Sequence, residues 1–251
     1  MFVGRATLKR LAERLATHGI ETWTVDFRGH GDSGPTARAA DWTYSDIVVQ
    51  DIPAAARWVA ERAGRRPVWI GHSLGAHGGL AAWALFPELP LAGLVSLGGN
   101  VWMSRFVPDR LAWLHRQATL AAWTQLTRAL GYFPVRRLRL GSDDEARSYV
   151  KELAEIFTND RYIVAGREVL PGLSAITAPV LSVTSVGDAW MCPPAAARAL
   201  LGHVSRAPVV HRVVGELADD PRTVDHMGLV LDKRMMAIVD ETVAPFVLAC
   251  G

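Results

Sequence analysis

The sequence has 251 residues, of which 50% are hydrophobic, and its formal net charge at pH 7 is +2. This length allows one α/β domain with an insertion and a complete hydrophobic core. The near balance of charge gives no basis for a nucleic-acid partner. Two cysteines exclude a disulfide framework. Because neither a signal segment nor an apolar run of about 18 residues is present, we predict a cytoplasmic protein without a membrane span.

The first quarter of the chain predicts a helix, a strand and a second helix. Apolar side chains spaced three or four residues apart over residues 8–15 predict a helix that ends at Gly19. Alternation of polar and apolar side chains predicts a strand over Thr22–Phe27. After a glycine-rich loop, the apolar spacing of residues 48–59 predicts a long helix that ends at Gly64.

The stretch Pro67–Phe86 predicts a short buried strand, a sharp turn and a helix. The turn reads Gly71-His72-Ser73-Leu74-Gly75, and it presents the Ser73 hydroxyl above the sheet. Glycines are expected on both sides because a Cβ at either position would clash with neighbouring backbone. A G-x-S-x-G pattern between a strand and a helix is typical of a nucleophilic serine.

The rest of the chain keeps alternating strands and helices, except in one long segment. Strands are predicted over residues 91–97, 179–184 and 209–214, and helices over residues 193–201 and from Met236 onward. From residue 101 to 176 only helical spacing is found, including a helix over Asp143–Phe157. We therefore predict an α/β fold in which residues 1–100 and 177–251 form a doubly wound, mostly parallel sheet and residues 101–176 form a helical lid.

A serine hydroxyl needs a base to act as a nucleophile, and the base needs a carboxylate that fixes its tautomer. In open α/β sheets such groups gather at the carboxyl ends of the strands. Asp188 and His226 each follow a predicted strand. We therefore predict Ser73 as the nucleophile, His226 as the base and Asp188 as the acid. The N–H of Leu74, at the start of the helix, is predicted as an oxyanion-hole donor.

Each of these residues has a structural alternative. Ser73 could cap a helix, Asp188 could stabilise a turn and His226 could lie in a surface loop. In a fold of this kind the acid can also follow the preceding strand, which here ends at Asn100. An amide cannot act as the acid, so Asn100 favours Asp188 for this role. Asp225 is a poor acid candidate because the side chains of adjacent loop residues rarely face each other.

From residue 5 to its end the chain resembles the α/β-hydrolase superfamily. The glycine-flanked Ser73, the loop Asp26–Gly34 and the chain order Ser73, Asp188, His226 carry this resemblance. Within the superfamily the chain looks most like serine esterases and lysophospholipase-like hydrolases. The resemblance implies an acyl-enzyme mechanism, a helical lid and a small-molecule carboxylic ester or thioester as the substrate.

The resemblance also implies a strand before the first helix, which this sequence lacks. In the family that strand pairs in the middle of the sheet and ends in a loop that supplies the second oxyanion N–H. Laid onto this chain, the loop falls on Met1 or Phe2, which we predict as oxyanion-hole residues. A missing central strand would leave two rows of backbone groups unpaired in the core. We therefore expect that the N-terminal strands are missing from this sequence, that Met1 is an internal or misassigned start, and that the natural chain carries the strand upstream.

Three further residues are predicted to line a substrate pocket: His77, one helical turn after Ser73, and Trp102 and Trp190. Ordinary core packing is the alternative for each of them.

No metal or nucleotide cofactor is expected, because no ligand cluster or phosphate-binding loop is found. The alternatives to hydrolysis are acyl transfer by the same groups and a non-catalytic binding protein on a truncated scaffold. The sequence predicts no oligomeric state.

Overall fold

A computed structural model of the chain describes residues 5–102, 104–107, 109–216 and 223–251. In these residues the strands are β1 (Val68–His72), β2 (Gly93–Leu97), β3 (Tyr132–Phe133), β4 (Glu145–Ala146), β5 (Ile163–Val164), β6 (Arg167–Glu168), β7 (Val180–Ser185) and β8 (Val209–Val214). The helices are α1 (Arg5–Ala16), α2 (Tyr44–Asp46), α3 (Ile52–Ala63), α4 (Leu74–Leu85), α5 (Arg110–Leu130), α6 (Arg147–Thr158), α7 (Pro194–Leu201), α8 (Gly228–Leu231), α9 (Met235–Ile238) and α10 (Ala244–Cys250).

Four strands form one parallel sheet in the order β1-β2-β7-β8. The register pairs His72 with Leu97, and Leu97 with Val183. It also pairs Ser185 of β7 with Val214 of β8, so the carboxyl ends of all four strands lie along one edge. Parallel neighbours require crossover connections, which the helices between them supply. The predicted α/β fold with a mostly parallel sheet is confirmed.

Alternate side chains of the inner strands pack against different sets of helices. Leu94 and Val180 belong to a hydrophobic cluster with side chains of α3 and α4. Val95, Leu181 and Val183 belong to a second cluster with side chains of α1, α8 and α9. Both faces of the sheet are therefore covered, which is why its strands are rich in apolar residues on both sides. The sheet is doubly wound, as predicted.

The predicted strand over Thr22–Phe27 is wrong. This segment makes no strand ladder, and Trp23 and Val25 are 39% and 36% exposed. A cavity of about 310 Å³, lined by side chains of α1, of this segment and of β1, lies beside the edge of β1. A ladder needs a neighbouring strand at about 4.8 Å. Among the described residues β1 pairs only with β2, so the alternation at Thr22–Phe27 has no strand to pair with.

We call residues 101–176 the helical segment. In its described residues, α5 and α6 pack against each other, and both contact the antiparallel pair of two-residue strands β3 and β4. A second antiparallel pair, β5 with β6, follows α6 in the chain. The predicted helix over Asp143–Phe157 begins later, at Arg147. It begins there because Glu145 and Ala146 pair with Phe133 and Tyr132.

A buried ion pair joins the glycine-rich loop to the helical segment. His30 Nε2 lies 2.8 Å from Glu145 Oε1, and both side chains are buried. His30 Nδ1 donates to the carbonyl oxygen of Arg28 at 3.0 Å. Burial alone would lower the pKa of His30, but the Glu145 carboxylate and the Arg28 carbonyl outweigh it and raise the pKa to about 9. The imidazolium therefore holds the helical segment to the loop at neutral pH.

We expect Glu145→Gln to lower the free energy of unfolding by about 2–3 kcal/mol at pH 6.5 and to have almost no effect near pH 10. The raised pKa of His30 means that its contribution is complete below its unfolded value of 6.5 and is lost as the pH rises through about 9. Denaturant unfolding of wild type and variant at both pH values measures this difference.

Glu88→Gln is the matched control, because the Arg57–Glu88 ion pair is exposed on both sides. Such pairs contribute about 0–1 kcal/mol. A loss of stability in Glu145→Gln that stays the same at both pH values would contradict the ionised state assigned to His30.

Candidate active site

Ser73 lies at the sharp turn between β1 and α4. Its backbone has φ 51° and ψ −113°, a conformation that non-glycine residues rarely adopt. The Ser73 N–H donates to the carbonyl oxygen of Leu97 at 2.9 Å, and the Ser73 carbonyl accepts from the N–H groups of Ala76 and His77. The strained turn is therefore fixed on one side by β2 and on the other by the first turn of α4.

The two glycines that flank Ser73, Gly71 and Gly75, differ in the space around them. A Cβ at Gly71 would lie 2.1 Å from the carbonyl carbon and oxygen of Gly75, so only glycine fits there. A Cβ at Gly75 would meet no described atom within 4 Å. The expected steric reason is therefore correct for Gly71, whereas no described residue outside the backbone of α4 supplies such a reason for Gly75.

Asp188 and His226 come from two different loops and form a close pair. His226 Nδ1 lies 2.5 Å from Asp188 Oδ2, and both side chains are at most 5% exposed. Asp188 Oδ1 accepts hydrogen bonds from the N–H groups of Met191 and Cys192, each at 3.1 Å. Because both oxygens of the carboxylate are engaged, its orientation is fixed. His226 therefore carries its proton on Nδ1 and a lone pair on Nε2.

Ser73 and His226 line the same cavity, which has a volume of about 110 Å³. His226 Nε2 is buried and makes no hydrogen bond with a described residue, Ser73 included. Catalytic hydrogen bonds are often long in the absence of a substrate and tighten when one binds. A Cβ at Gly98 would lie 2.9 Å from Leu229 Cδ1 and 3.2 Å from His226 Cε1, so glycine leaves room for both side chains.

His72 supports the loop that carries His226. His72 Nε2 donates to the carbonyl oxygen of His226 at 2.9 Å, and the two ring centroids are 4.7 Å apart. Burial, and then the nearby His226, keep the pKa of His72 well below its usual value, so the ring is neutral. A neutral His72 adds no competing charge beside His226. Its role is to position the loop.

The two predicted oxyanion-hole sites have different outcomes. Leu74 is the first residue of α4, so its N–H lies at the positive end of the helix, directly after Ser73. Met1 and Phe2 lie outside the described residues. The second donor therefore stays a prediction from the sequence.

The three predicted pocket residues all line the cavity. His77, Trp102 and Trp190 stand in its wall with side chains of the helical segment, namely Trp123, Leu140, Tyr149, Leu153 and Phe157. The rings of Trp102 and Trp190 meet edge to face, with centroids 4.6 Å apart. Trp102 Nε1 donates to the carbonyl oxygen of Met191 at 3.0 Å. The cavity wall is therefore mainly apolar, with five Trp, Tyr and Phe rings, and it is hydrogen-bonded to the loop that carries Asp188.

Arg116, in α5, is a buried charged residue near the cavity that the sequence patterns do not predict. It is 1% exposed, donates to the carbonyl oxygen of Trp190, and places its guanidinium carbon 5.4 Å from the centroid of the Trp102 ring. Burial lowers the pKa of Arg116, and the Asp188 carboxylate opposes this effect. The helical spacing could have indicated this burial. Arg116 lies on the same face of α5 as Trp113 and Leu120, where a charged residue is unexpected.

In the part of the chain that the structure describes, no group of three or more His, Cys, Asp and Glu side chains could hold a metal ion. No helix of the described residues is both long and apolar enough to cross a membrane.

The chain is similar in fold to solved hydrolase structures. They include a monoacylglycerol lipase from Paleococcus ferrophilus, with a TM-score of 0.64 and 16% identity, covering 100% of this chain and 92% of that one. An esterase from Exiguobacterium antarcticum has a TM-score of 0.61 and 17% identity, covering 98% and 88%. An esterase from Pyrococcus furiosus has a TM-score of 0.60 and 16% identity, covering 95% and 75%.

At these identities the likeness shows the fold alone. No curated protein matches the sequence significantly. Residues 5–216, most of the chain, match the model of the family described as serine aminopeptidase, S33, and this span contains both Ser73 and Asp188. The chain therefore belongs to this family of α/β hydrolases.

Proposed function

We propose that this protein is a serine hydrolase that cleaves a small-molecule carboxylic ester or thioester through an acyl-enzyme. The single observation that supports this most strongly is the Asp188–His226 pair, whose free Nε2 shares a cavity with Ser73. A base with a fixed tautomer, opening into the space where a serine is held in a strained turn, is the arrangement that acyl transfer requires.

In the proposed mechanism Ser73 Oγ attacks the carbonyl carbon while His226 Nε2 accepts the hydroxyl proton. Asp188 stabilises the imidazolium that forms, and the Leu74 N–H donates to the oxyanion. His226 then gives the proton to the leaving oxygen or sulfur. A water molecule then gives a proton to the same Nε2 and attacks the acyl carbon. His226 returns that proton to Ser73 Oγ as the bond between Oγ and the acyl carbon breaks and the acid leaves.

The helical segment, residues 101–176, is proposed as a lid on a core formed by residues 1–100 and 177–251. Side chains of α5 and α6 close one side of the cavity that contains Ser73.

The solved structures that are similar in fold are named as esterases and a lipase, which favours an ester over a peptide as substrate. A cavity of about 110 Å³ fits a short acyl group better than a long one. We place the protein in the cytoplasm because both cysteines are free thiols.

A series of p-nitrophenyl esters from acetate to laurate tests this proposal. We expect kcat/KM to be highest for short acyl groups and to fall once the acyl chain exceeds the cavity. Acid quenching during turnover, followed by intact-mass analysis, should show the protein carrying one acyl group. Turnover without any acylated protein would contradict the proposed mechanism, and absence of turnover by folded protein would contradict the proposed function.

A further inference from the structure

A chain of three buried hydrogen bonds fixes which nitrogen of His77 carries the proton. The Tyr162 hydroxyl donates to the carbonyl oxygen of His77 at 2.7 Å, and a carbonyl can only accept. The Tyr44 hydroxyl, 2.7 Å from that of Tyr162, must therefore donate to it. Tyr44 has no second hydrogen to give, so its oxygen accepts from His77 Nδ1 at 2.8 Å. Nδ1 of His77 is thus the protonated nitrogen.

The other ring nitrogen of His77 is left with a lone pair at the cavity. Burial lowers the pKa of His77 to about 3, so the ring is neutral and holds one proton only. His77 lines the cavity that contains Ser73 and His226, and its Nε2 makes no hydrogen bond with a described residue. Nε2 therefore offers the cavity an acceptor and no donor.

Asn100 lines the same cavity and carries a second acceptor, a buried oxygen beneath the cavity wall. Its Nδ2 donates to the carbonyl oxygen of Met191 at 3.2 Å, an oxygen that also accepts from Trp102 Nε1. Because that carbonyl cannot donate, the amide nitrogen of Asn100 must face it. Asn100 Oδ1 is then directed away from it, and this atom is buried with no hydrogen-bond partner among the described residues. A buried acceptor without a partner is costly and gains most when a ligand supplies a donor.

We propose that the acyl group of the substrate carries a hydroxyl, which donates to His77 Nε2 or to Asn100 Oδ1. The inference rests on the proposed ester hydrolysis and names the substrate class, an ester of a short hydroxy acid. A site built to accept a hydrogen bond from a substrate discriminates strongly against an analogue that lacks the donor.

The first test compares p-nitrophenyl 3-hydroxybutyrate, 2-hydroxybutyrate and butyrate on the wild-type protein. We expect kcat/KM to be at least about tenfold higher for one of the hydroxy esters than for butyrate. Equal values for all three, with normal turnover, would overturn this inference and leave the proposed function intact. No turnover of any ester and no reaction with a fluorophosphonate would contradict the proposed function itself.

The second test uses Tyr44→Phe to move the proton on His77. Without the Tyr44 oxygen, a proton on Nδ1 would be buried with no acceptor, so we expect the proton to move to Nε2. The cavity then gains a donor, and the preference should shift by at least about tenfold from 3-hydroxybutyrate towards 3-oxobutyrate, whose ketone only accepts. A merely structural role of Tyr44 would lower activity on both esters alike and would contradict the inference.

Tyr132→Phe is the matched control, because Tyr132 is half-buried beneath Arg38 and does not line the cavity. Its ratio of kcat/KM for the 3-hydroxybutyrate ester to kcat/KM for the 3-oxobutyrate ester should equal that of the wild type.

The tautomer of His77 can also be measured directly in the wild-type protein. Long-range ¹H–¹⁵N spectra show which ring nitrogen carries the proton once the signals of His77 are assigned. We expect a protonated Nδ1 and an unprotonated Nε2 on this ring, and the opposite assignment would overturn the inference.

Discussion

Ser73→Ala is expected to lower kcat/KM for a short p-nitrophenyl ester by a factor of roughly 10³ or more. The loss should be this large because His226 Nε2 has no other hydroxyl to activate in the proposed mechanism, so the acyl-enzyme cannot form. The residual rate would come from binding and from the Leu74 N–H alone. Initial rates over a range of substrate concentrations measure the effect.

Ser182→Ala is the matched control for this prediction. Ser182 is a buried serine of the same sheet, in β7, and does not line the cavity. We expect its kcat/KM to stay within about twofold of the wild type, because surface or core changes outside the site act mainly on stability. If Ser73→Ala kept more than a tenth of the activity, Ser73 would not be the nucleophile.

Asp188→Asn is expected to lower kcat by roughly 10³–10⁴ with little change in the fold. The Met191 and Cys192 N–H groups both donate to Oδ1, so the amide oxygen of the new side chain should take that position. The amide nitrogen then faces His226 Nδ1 and donates to it. This forces the His226 proton onto Nε2, where it blocks removal of the Ser73 proton. Steady-state kinetics and a histidine tautomer measurement should report the change together.

Asp225→Asn provides the comparison, since Asp225 is the residue before His226 and accepts from the Gly228 N–H at 2.7 Å in an exposed turn. We expect its kcat to remain within about threefold of the wild type. An equal loss in Asp225→Asn and Asp188→Asn would contradict the assignment of Asp188 as the residue that orients His226.

The sequence predicts those parts of the site that depend on neighbouring residues or on the order of residues along the chain. The turn at Ser73 was predicted because its strand, glycines and helix are adjacent in the chain. Asp188 and His226 were found because parallel strands bring their carboxyl ends together, and the structure joins their side chains. Gly75 shows the limit even here, because the pattern does not reveal which flanking glycine meets another backbone.

The sequence failed where a feature depends on partners distant in the chain. Thr22–Phe27 has the alternation of a strand, yet pairing depends on a neighbour that the alternation cannot reveal. Glu145 falls inside the predicted helix Asp143–Phe157, but its side chain contacts His30, which is 115 positions away. The Tyr44–Tyr162 hydrogen bond joins residues 118 positions apart. Buried polar networks of this kind are set by packing between elements, which periodicity does not encode.

The most direct test of the account is reaction of the folded protein with a fluorophosphonate, followed by intact-mass analysis and peptide mapping. We predict one adduct per chain, located on Ser73, with no adduct in Ser73→Ala and strongly slowed labelling in His226→Ala. An adduct on another residue would contradict the assigned nucleophile. A folded wild-type protein that takes up no adduct would contradict catalysis by this site and would favour a binding protein on a hydrolase scaffold.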